Sequence, residues 1–228
     1  MNYRLRTMHL QDLAKRFVEY KRRHGIWSAL IRISLSVKRT LTGNRMVLFY
    51  CDLGAWKGTS LPAEHPLTVE RNTGAQTVAS PDLLQIVNFW NPKIMRRLIS
   101  ERFARGANLW LARSGNDLAG YGWTLNGSTI EPHFFPLEAD DVHLFDFFVF
   151  PEFRGQRVNR FLVLKILEAL ATERKSRAYI EVAEWNMPQL NSLSRMPFKK
   201  LGIARKFSVF GRTFTVWSGR VPVSPHSA

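Results

Sequence analysis

The sequence contains one cysteine, Cys51, among its 228 residues. A single thiol forms no internal disulfide and no cysteine-based metal or redox site, so disulfide scaffolds and cysteine zinc modules are excluded. Long uncharged apolar runs are also missing, because no stretch approaches the roughly 18 residues of a membrane span. The charged start, MNYRLRTMHLQDLAKR, lacks the apolar run of a signal peptide. We therefore predict a cytoplasmic protein.

Acidic residues are scarce at both ends of the chain. Residues 1–46 contain 11 basic residues (Lys and Arg) and 2 acidic ones. Residues 195–228 contain 7 basic residues and no acidic one. The stretch between them, with 15 basic and 16 acidic residues, is nearly neutral. Basic ends around a neutral domain indicate an anionic partner such as a membrane surface, a nucleic acid or a phosphorylated cofactor. A basic surface without a specific partner is the alternative.

The pattern over residues 10–23 predicts a basic amphipathic helix. Apolar residues recur there at helical spacing between lysines and arginines, at Leu10, Leu13, Phe17 and Tyr20. The tripeptide TGN at residues 42–44 is typical of a turn. We therefore place a boundary there, with a basic N-terminal helical segment at residues 1–45 and one domain at residues 46–228.

Hydrophobic patterning predicts an α/β fold from residue 46 onward. The predicted strands lie at 46–52, 107–113, 118–125, 143–150 and 178–185. The predicted helices lie at 80–105, 158–175 and 189–201, the first of them divided in two at Asn91-Pro92. Residues 54–80 are interpreted as a long irregular connection, and a hairpin turning at Gly211 ends the pattern. This order indicates a mixed sheet with helices on its faces.

The segment FDFFVFPEFRGQRVNRFLVLKIL combines a strand, a proline, a loop with glycine and arginine, and a long helix. The first N–H groups of a helix have no partner inside it, and the helix dipole adds positive charge, so a helix start favours a phosphate group. Arg154 and Arg157 are placed to add charge-assisted contacts. An ordinary turn with solvated arginines is the alternative.

These residues resemble motif A of the GNAT superfamily of acetyl-coenzyme A-dependent N-acetyltransferases, in which the V-x-P-x-x-R-G positions are here Val149, Pro151, Arg154 and Gly155. The superfamily's second signature is matched by Asn191, Ser194, Phe198, Lys200, Leu201, Gly202 and Ile203. The strand LFDFFV is most similar to the spermidine/spermine type, whose acidic pair is reduced here to Asp146. The resemblance covers about four fifths of the chain, and it implies a GNAT-like mixed, splayed β-sheet flanked by helices.

The resemblance also implies an acetyl-coenzyme A site and no metal. In the family the motif A strand pairs with the pantetheine arm, and the loop that follows surrounds the pyrophosphate. The cofactor-binding residues implied in this way are Phe148, Val149, Phe150, Arg154, Gly155, Gln156, Arg157, Val158, Asn159 and Asn191. Arg157 and Asn159 stand where the family usually has a glycine and a small residue, so the loop departs from the family pattern.

Acetyl transfer to an amine needs a base, because an amine of pKa near 10 is mostly protonated at neutral pH. The titratable residues on the motif A strand and the next strand are His143, Asp146, Glu181 and Glu184. We favour Glu184 and Asp146 as catalytic residues. The alternatives are that Asp146 is a hydrogen-bonded structural carboxylate and that Glu184 is a solvated strand end. A bulged strand would supply an unpaired N–H for the developing oxyanion. The family's tyrosine, which protonates the departing thiolate, is here Phe198.

The sequence thus predicts an enzyme that moves an acetyl group from acetyl-coenzyme A to a primary amine by direct attack, without a covalent enzyme intermediate. We expect a small-molecule or glycan acceptor, such as an amino sugar of a surface polysaccharide precursor. Residues 1–45 are predicted to contact an anionic membrane, which we favour over nucleic acid. The alternative is a catalytically degenerate GNAT-like binding module that acts through its basic ends on a membrane, a nucleic acid or a protein.

Overall fold

The computed structural model of the chain describes residues 45–56, 58, 66–130, 133–209 and 212–218. The predicted basic segment thus lies outside the described residues except for Arg45, and its boundary with the domain stays a prediction. The turn predicted at Gly211 also lies outside them. Among the described residues, no helix combines the length and the apolar composition needed to cross a bilayer.

Eight strands and four helices form the described domain. The strands are β1 (Arg45–Asp52), β2 (Leu67–Asn72), β3 (Asn108–Ser114), β4 (Asp117–Asn126), β5 (Asp141–Val149), β6 (Arg177–Ala183), β7 (Lys199–Val209) and β8 (Arg212–Ser218). The helices are α1 (Ser80–Phe89), α2 (Pro92–Ala104), α3 (Val158–Thr172) and α4 (Met187–Leu193). Short 3₁₀ turns lie at Ala75–Thr77 and Pro151–Phe153.

The break between α1 and α2 falls at the predicted Asn91-Pro92. The Asn91 side chain accepts a hydrogen bond from the Ile94 N–H at 3.3 Å. Pro92 occupies the first helical position, where a backbone N–H would have no partner within the helix, so its missing N–H costs nothing. Gly106 follows α2 with a φ of 78°. The two helices predicted between residues 80 and 105 are confirmed, and local capping chemistry explains both ends of the second.

All eight strands join one mixed sheet in the order β2-β3-β4-β5-β6-β1-β7-β8. Consecutive residues of a strand point alternately into two core layers, one on each face of the sheet. Trp110 and Ala112 of β3 pack in the layer that contains α3, whereas Leu109 and Leu111 pack in the layer that contains α1 and α2. The predicted α/β architecture, with helices on both faces of a mixed sheet, is confirmed.

The sheet opens between β5 and β6. These strands are parallel and pair only from Asp141–Arg177 to Leu144–Ile180, although β5 continues to Val149 and β6 continues to Ala183. Beyond Leu144, the edge of β5 that faces β6 therefore has no strand partner. This is the splay that the resemblance implied, and it lies directly before the loop and helix of motif A.

Two predicted elements are wrong in detail. The irregular connection at 54–80 contains β2, which pairs with β3 from Leu67–Ser114 to Asn72–Leu109. The helix predicted at 189–201 begins earlier and ends at Leu193, and Lys199 already belongs to β7, which pairs with β1. Long-range pairing with β3 and with β1 outweighs the local pattern in both places.

Candidate functional site

Strand β5 carries a bulge at the point where the sheet opens. Trp123 of β4 pairs with Phe145 and Tyr121 pairs with Phe148, so Asp146 and Phe147 together face the single residue Gly122. Asp146 adopts a φ of 51°, a left-handed conformation that is uncommon outside glycine. A bulge turns backbone groups away from the ladder. The bulged strand that acetyl transfer was predicted to use is therefore present, at Asp146 and Phe147.

Glycines of β4 make room for this bulge. A Cβ placed on Gly122 would lie 2.4 Å from Cε1 of Phe147, and one placed on Gly120 would lie 2.7 Å from the carbonyl oxygen of Phe148. Both distances are shorter than real contacts allow. The spacing of these two glycines within a strand is the sequence signal for the close approach, since glycine in a strand marks a bulge or a neighbouring backbone.

The turn after β5 leads into the exposed start of α3. Gly155 has a φ of 82°, and Arg157, at the N-cap, has a φ of 61° and a ψ of 17°. No side chain among the described residues caps this helix, and its first turn contains no acidic residue. The first N–H groups of α3 therefore combine with the helix dipole to form a positive, donor-rich end.

Basic and amide side chains surround this helix start. Arg154 donates from Nε to the carbonyl oxygen of Val149 at 3.4 Å, and its guanidinium lies 5.9 Å from the centre of the Phe148 ring. Arg157 is exposed. Asn159 donates from Nδ2 to Oε1 of Gln189 at 3.5 Å, while its buried Oδ1 has no hydrogen-bond partner among the described residues. The two guanidinium groups are suited to an anion with several oxygen atoms.

The other residues implied for the cofactor differ in how they reach it. Val149 and Phe148 are half-buried on the open strand, whereas the Phe150 side chain lies in the core and its N–H donates to the Ala119 carbonyl at 3.0 Å. Val158 is the first residue of α3 and its side chain is buried, so it can contribute to an anion site only through its backbone. Exposed side chains complete the set, at Gln156 in the loop and Asn191 on α4.

The two carboxylates predicted to be catalytic each pair with an arginine. Oδ2 of Asp146 accepts from Nη1 of Arg102 at 2.7 Å, and Arg102 also stacks over Trp123, with its guanidinium 5.0 Å from the ring centre. Oε2 of Glu184 lies 3.1 Å from Nε of Arg45, the first residue of β1. Asp146 thus lies within the bulge, and Glu184 lies just beyond the end of β6.

The remaining two candidates form a buried pair next to a third residue that the sequence did not indicate. His143 Nε2 and Glu181 Oε2 are 2.8 Å apart, and the His133 ring centre lies 5.3 Å from that of His143. Burial would raise the pKa of Glu181, but the charge and hydrogen bond of His143 outweigh it and lower the pKa to about 2. Burial lowers the pKa of His133 to about 4.

Cys51 and most of the described tryptophans occupy structural positions. Burial, followed by the charge of Asp52, raises the pKa of the Cys51 thiol to about 11, so it is not a thiolate at neutral pH. Trp123 is buried, and Trp90 donates from Nε1 to the Tyr121 hydroxyl at 2.9 Å. Trp185 is the exception, because it is 49% exposed directly after Glu184.

Comparison with known proteins agrees with this geometry. A sequence model described as the Acetyltransferase (GNAT) family matches residues 77–196, which is more than half of the chain. The match contains the bulged strand, the arginine-bearing loop and α3. The chain therefore belongs to the GNAT acetyltransferase family. No curated protein sequence matches it.

Solved structures are similar to the chain at low sequence identity. A tandem GNAT protein from the clavulanic acid biosynthesis pathway is 14% identical, with a TM-score of 0.50 over 81% of this chain and 58% of that one. A GNAT family acetyltransferase from Colwellia psychrerythraea is 11% identical, with a TM-score of 0.49 over 69% of this chain and 53% of that one. A conserved protein from Staphylococcus epidermidis, described as functionally unknown, is 11% identical, with a TM-score of 0.48 over 75% and 64%. The chain thus spans less than two thirds of each of these structures.

Proposed function

We propose that the protein transfers an acetyl group from acetyl-coenzyme A to a primary amine. The observation that carries this proposal is that three features follow one another between Asp141 and Val158: an open, bulged strand, a basic loop, and a helix start that no described side chain caps. Family membership supports acetyl transfer in general, and these features support binding of the diphosphate and the pantetheine arm of the co-substrate.

The residues of the loop fit a diphosphate. Such a group needs several donors and positive charge, and the helix start supplies backbone N–H groups while Arg154 and Arg157 supply guanidinium groups. Arg157 therefore adds charge where the family has a glycine, and its left-handed backbone keeps the glycine-like path of the loop.

The open edge of β5 fits the pantetheine arm. Pairing with β6 ends at Leu144, so the edge of β5 on that side is open from the bulge to Val149 for an extended amide chain to pair with as a further strand would, and the Val149 carbonyl there already accepts a hydrogen bond from Arg154. Phe150 contributes through packing alone, because its N–H is already bonded to Ala119. An N–H of the bulge then meets the thioester oxygen as negative charge develops on it.

The acetyl group moves by direct attack. The amine nitrogen bonds to the thioester carbon, the carbon–sulfur bond breaks, and the amine proton passes to a carboxylate, for which we propose Glu184 or Asp146. The positions of these residues beside the splay support the choice. The buried, protonated Cys51 gives no support to a covalent intermediate, and Phe198 has no proton to give, so the sulfur leaves as a thiolate that solvent protonates.

An amino sugar on a surface polysaccharide precursor is the acceptor that we propose. The support is the charge distribution, since residues 1–46 carry 11 basic and 2 acidic residues and suit a protein held at an anionic surface where such precursors lie. In this proposal residues 1–45 are a segment of their own, and residues 46–228 form the catalytic domain.

Calorimetric titration of acetyl-coenzyme A into the full chain tests the proposal before any acceptor is known. We expect one molecule bound per chain, followed by release of free thiol when primary amines, among them amino sugars, are added. Failure to bind acetyl-coenzyme A would remove the enzyme proposal and favour the degenerate binding module. Binding without thiol release from any amine would retain the cofactor site and reject the class of acceptor.

A further inference from the structure

His133, His143 and Glu181 form a compact cluster that the proposed reaction does not use. His143 lies on β5, Glu181 lies on β6, and His133 lies in the connection between β4 and β5. Residues alternate between the faces of a strand, so His143 and Glu181 lie on the face opposite to Leu144 and Ile180, which pack in the layer of α3. The cluster is therefore separated by the sheet from that layer.

Two nitrogen atoms of the cluster have no hydrogen-bond partner among the described residues. They are Nε2 of His133 and Nδ1 of His143, and both are buried. Buried polar atoms in proteins nearly always bond to protein, water or an ion, so two such atoms on adjacent rings require an explanation. The aromatic rings of Phe135 and Tyr179, whose centres lie 4.8 and 6.3 Å from that of His133, restrict what else reaches them.

We propose that this cluster binds a divalent transition-metal ion of the zinc type. Each residue offers one ligand atom, and the three atoms lie within 4.8 Å of one another. Ligand atoms on a tetrahedral zinc ion lie about 3.4 Å apart, given bonds of about 2.1 Å. Small movements of the side chains thus bring two imidazole nitrogens and a carboxylate oxygen to one ion, and imidazole with carboxylate is a ligand set that suits zinc and its neighbours.

The bound ion would hold the β4–β5 connection against the sheet. His133 is the one ligand that comes from this connection, and Phe134 beside it packs against Trp217 of β8, with ring centres 6.5 Å apart. A link from His133 to His143 and Glu181 fixes the connection at the end of the β5–β6 pairing, because His143 lies within the paired residues and Glu181 directly follows the last of them. The ion is therefore a structural link on the side of the sheet away from α3.

One positive charge borders the cluster and affects the affinity. The Lys206 ammonium lies 4.4 Å from the centre of the Phe134 ring, and its charge is felt by both His133 and Glu181. The Glu181 carboxylate is the charge that offsets this lysine and attracts a divalent ion. Replacement of Lys206 by a neutral residue is therefore expected to tighten metal binding.

Titration of chelator-treated full-length protein with Co²⁺, followed by displacement with Zn²⁺, tests the proposal. We expect one Co²⁺ per chain with the visible absorption of a low-coordinate site, loss of that absorption on addition of Zn²⁺, and a higher Tm with Zn²⁺. His133→Ala and Glu181→Gln should each weaken Co²⁺ binding about tenfold or more. Lys206→Met should strengthen it.

Glu173→Gln is the matched control, because Glu173 is a surface carboxylate paired with Arg71 far from the cluster in the fold. It should leave Co²⁺ binding unchanged. Equal effects of Glu173→Gln and Glu181→Gln, or no Co²⁺ binding by the wild type, would overturn the proposal and leave a hydrogen-bonded His–Glu cluster.

If His133→Ala and Glu181→Gln fail to fold, the wild type alone decides. Side-chain ¹⁵N NMR of its histidines must then show a Zn²⁺-dependent shift for His133 and His143, and unchanged nitrogen shifts would reject the site. None of these measurements uses acetyl-coenzyme A, so the result is independent of the acetyltransferase proposal.

Discussion

Arg157 and Arg174 occupy the two ends of α3 in the same left-handed conformation, with φ values of 61° and 58°. A non-glycine residue in this region is less stable than in a right-handed conformation by about 1–2 kcal/mol. The backbone is thus alike at both positions, whereas only Arg157 lies at the helix start that we assign to the diphosphate. Comparing the two positions therefore separates the effect of the arginine charge on binding from the effect of the left-handed backbone.

Arg157→Gly is expected to keep the stability of the domain within about 1 kcal/mol, because the relief of the left-handed conformation is offset by the greater freedom of glycine in the unfolded chain. It should weaken acetyl-coenzyme A binding by about 1–3 kcal/mol, the range for a lost charge-assisted contact. Arg174→Gly makes the same change at the other end of α3 and should leave binding unchanged. Calorimetry and thermal unfolding measure both effects. Tighter binding by Arg157→Gly would mean that Arg157 obstructs the site.

Arg154→Ala tests the other guanidinium of the loop. Arg154 extends back along β5 and bonds the Val149 carbonyl, so its removal loses both positive charge and an anchor of the loop. We expect acetyl-coenzyme A to bind about 1–3 kcal/mol more weakly. The same affinity in Arg154→Ala and wild type would refute the assignment of this loop to the diphosphate. Binding of co-substrate fragments with and without the diphosphate shows whether the lost affinity belongs to that group.

Gly122→Ala tests the bulge. The added methyl group would lie 2.4 Å from the Phe147 ring, so the ring or the bulge must move, at a cost of about 1–3 kcal/mol in the free energy of unfolding. Phe147→Ala should restore much of this loss, because it removes the group that clashes. A double-mutant cycle in urea measures the coupling between the two sites. Gly54→Ala is the control, since its Cβ would meet Asp52 Oδ1 at an ordinary 3.5 Å. Additive effects of the two changes would show that the bulge does not depend on Gly122.

Glu184→Gln and Asp146→Asn test the carboxylates. If either accepts the amine proton, its neutral amide should lower the acetylation rate and remove the acidic limb of the pH–rate profile. Arg102→Gln separates catalysis from structure for Asp146, because it breaks the 2.7 Å ion pair and leaves the carboxylate in place. A loss caused equally by Arg102→Gln and Asp146→Asn identifies a structural ion pair. If both carboxylate variants retain the wild-type rate and profile, the proton acceptor lies elsewhere.

Membrane contact by the basic segment is tested on the full chain. We replace Lys15, Arg16, Lys21, Arg22 and Arg23 by Gln and compare co-sedimentation with anionic and neutral vesicles. Each basic residue near an anionic surface contributes about 1 kcal/mol, so binding to anionic vesicles should be lost in this variant and should fall with salt in the wild type. A control variant carries the same change at five exposed positions of the nearly neutral stretch, which are Lys93, Arg96, Arg97, Arg105 and Arg174. Equal binding by both variants would reject the prediction that residues 1–45 contact the membrane.

Local chemistry explains which parts of the fold could be predicted from the sequence. The break at Asn91-Pro92 and the adjacent strands β3 and β4 depend on neighbouring residues, and both the break and the two strands were predicted. Strand β2 was missed because its pairing with β3 joins residues far apart in the sequence, while its own six residues alternate only weakly. Strand β7 was shortened for the same reason, since its first residues are held by β1.

The candidate site shows the same limit. The loop from Arg154 to Asn159 was found because a strand, a proline and a helix follow one another in the sequence. The position of the bulge requires the register between β5 and β4, although Gly120 and Gly122 were a usable signal. The cluster of His133, His143 and Glu181 joins three elements, and His133 lies in a connection without any pattern that would have indicated its partner.

The central place of β1 has a consequence for synthesis of the protein. Among the described strands, β7 and β8 reach the rest of the sheet only through β1, which pairs with β6 from Met46–Ala183 and with β7 from Arg45–Arg205. On the ribosome, β1 emerges more than a hundred residues before either neighbour, so its two edges lack these partners until β6 and β7 have been made. Non-local pairing of this kind slows folding and exposes strand edges. The newly made chain should therefore depend on chaperones until the last hairpin joins the sheet.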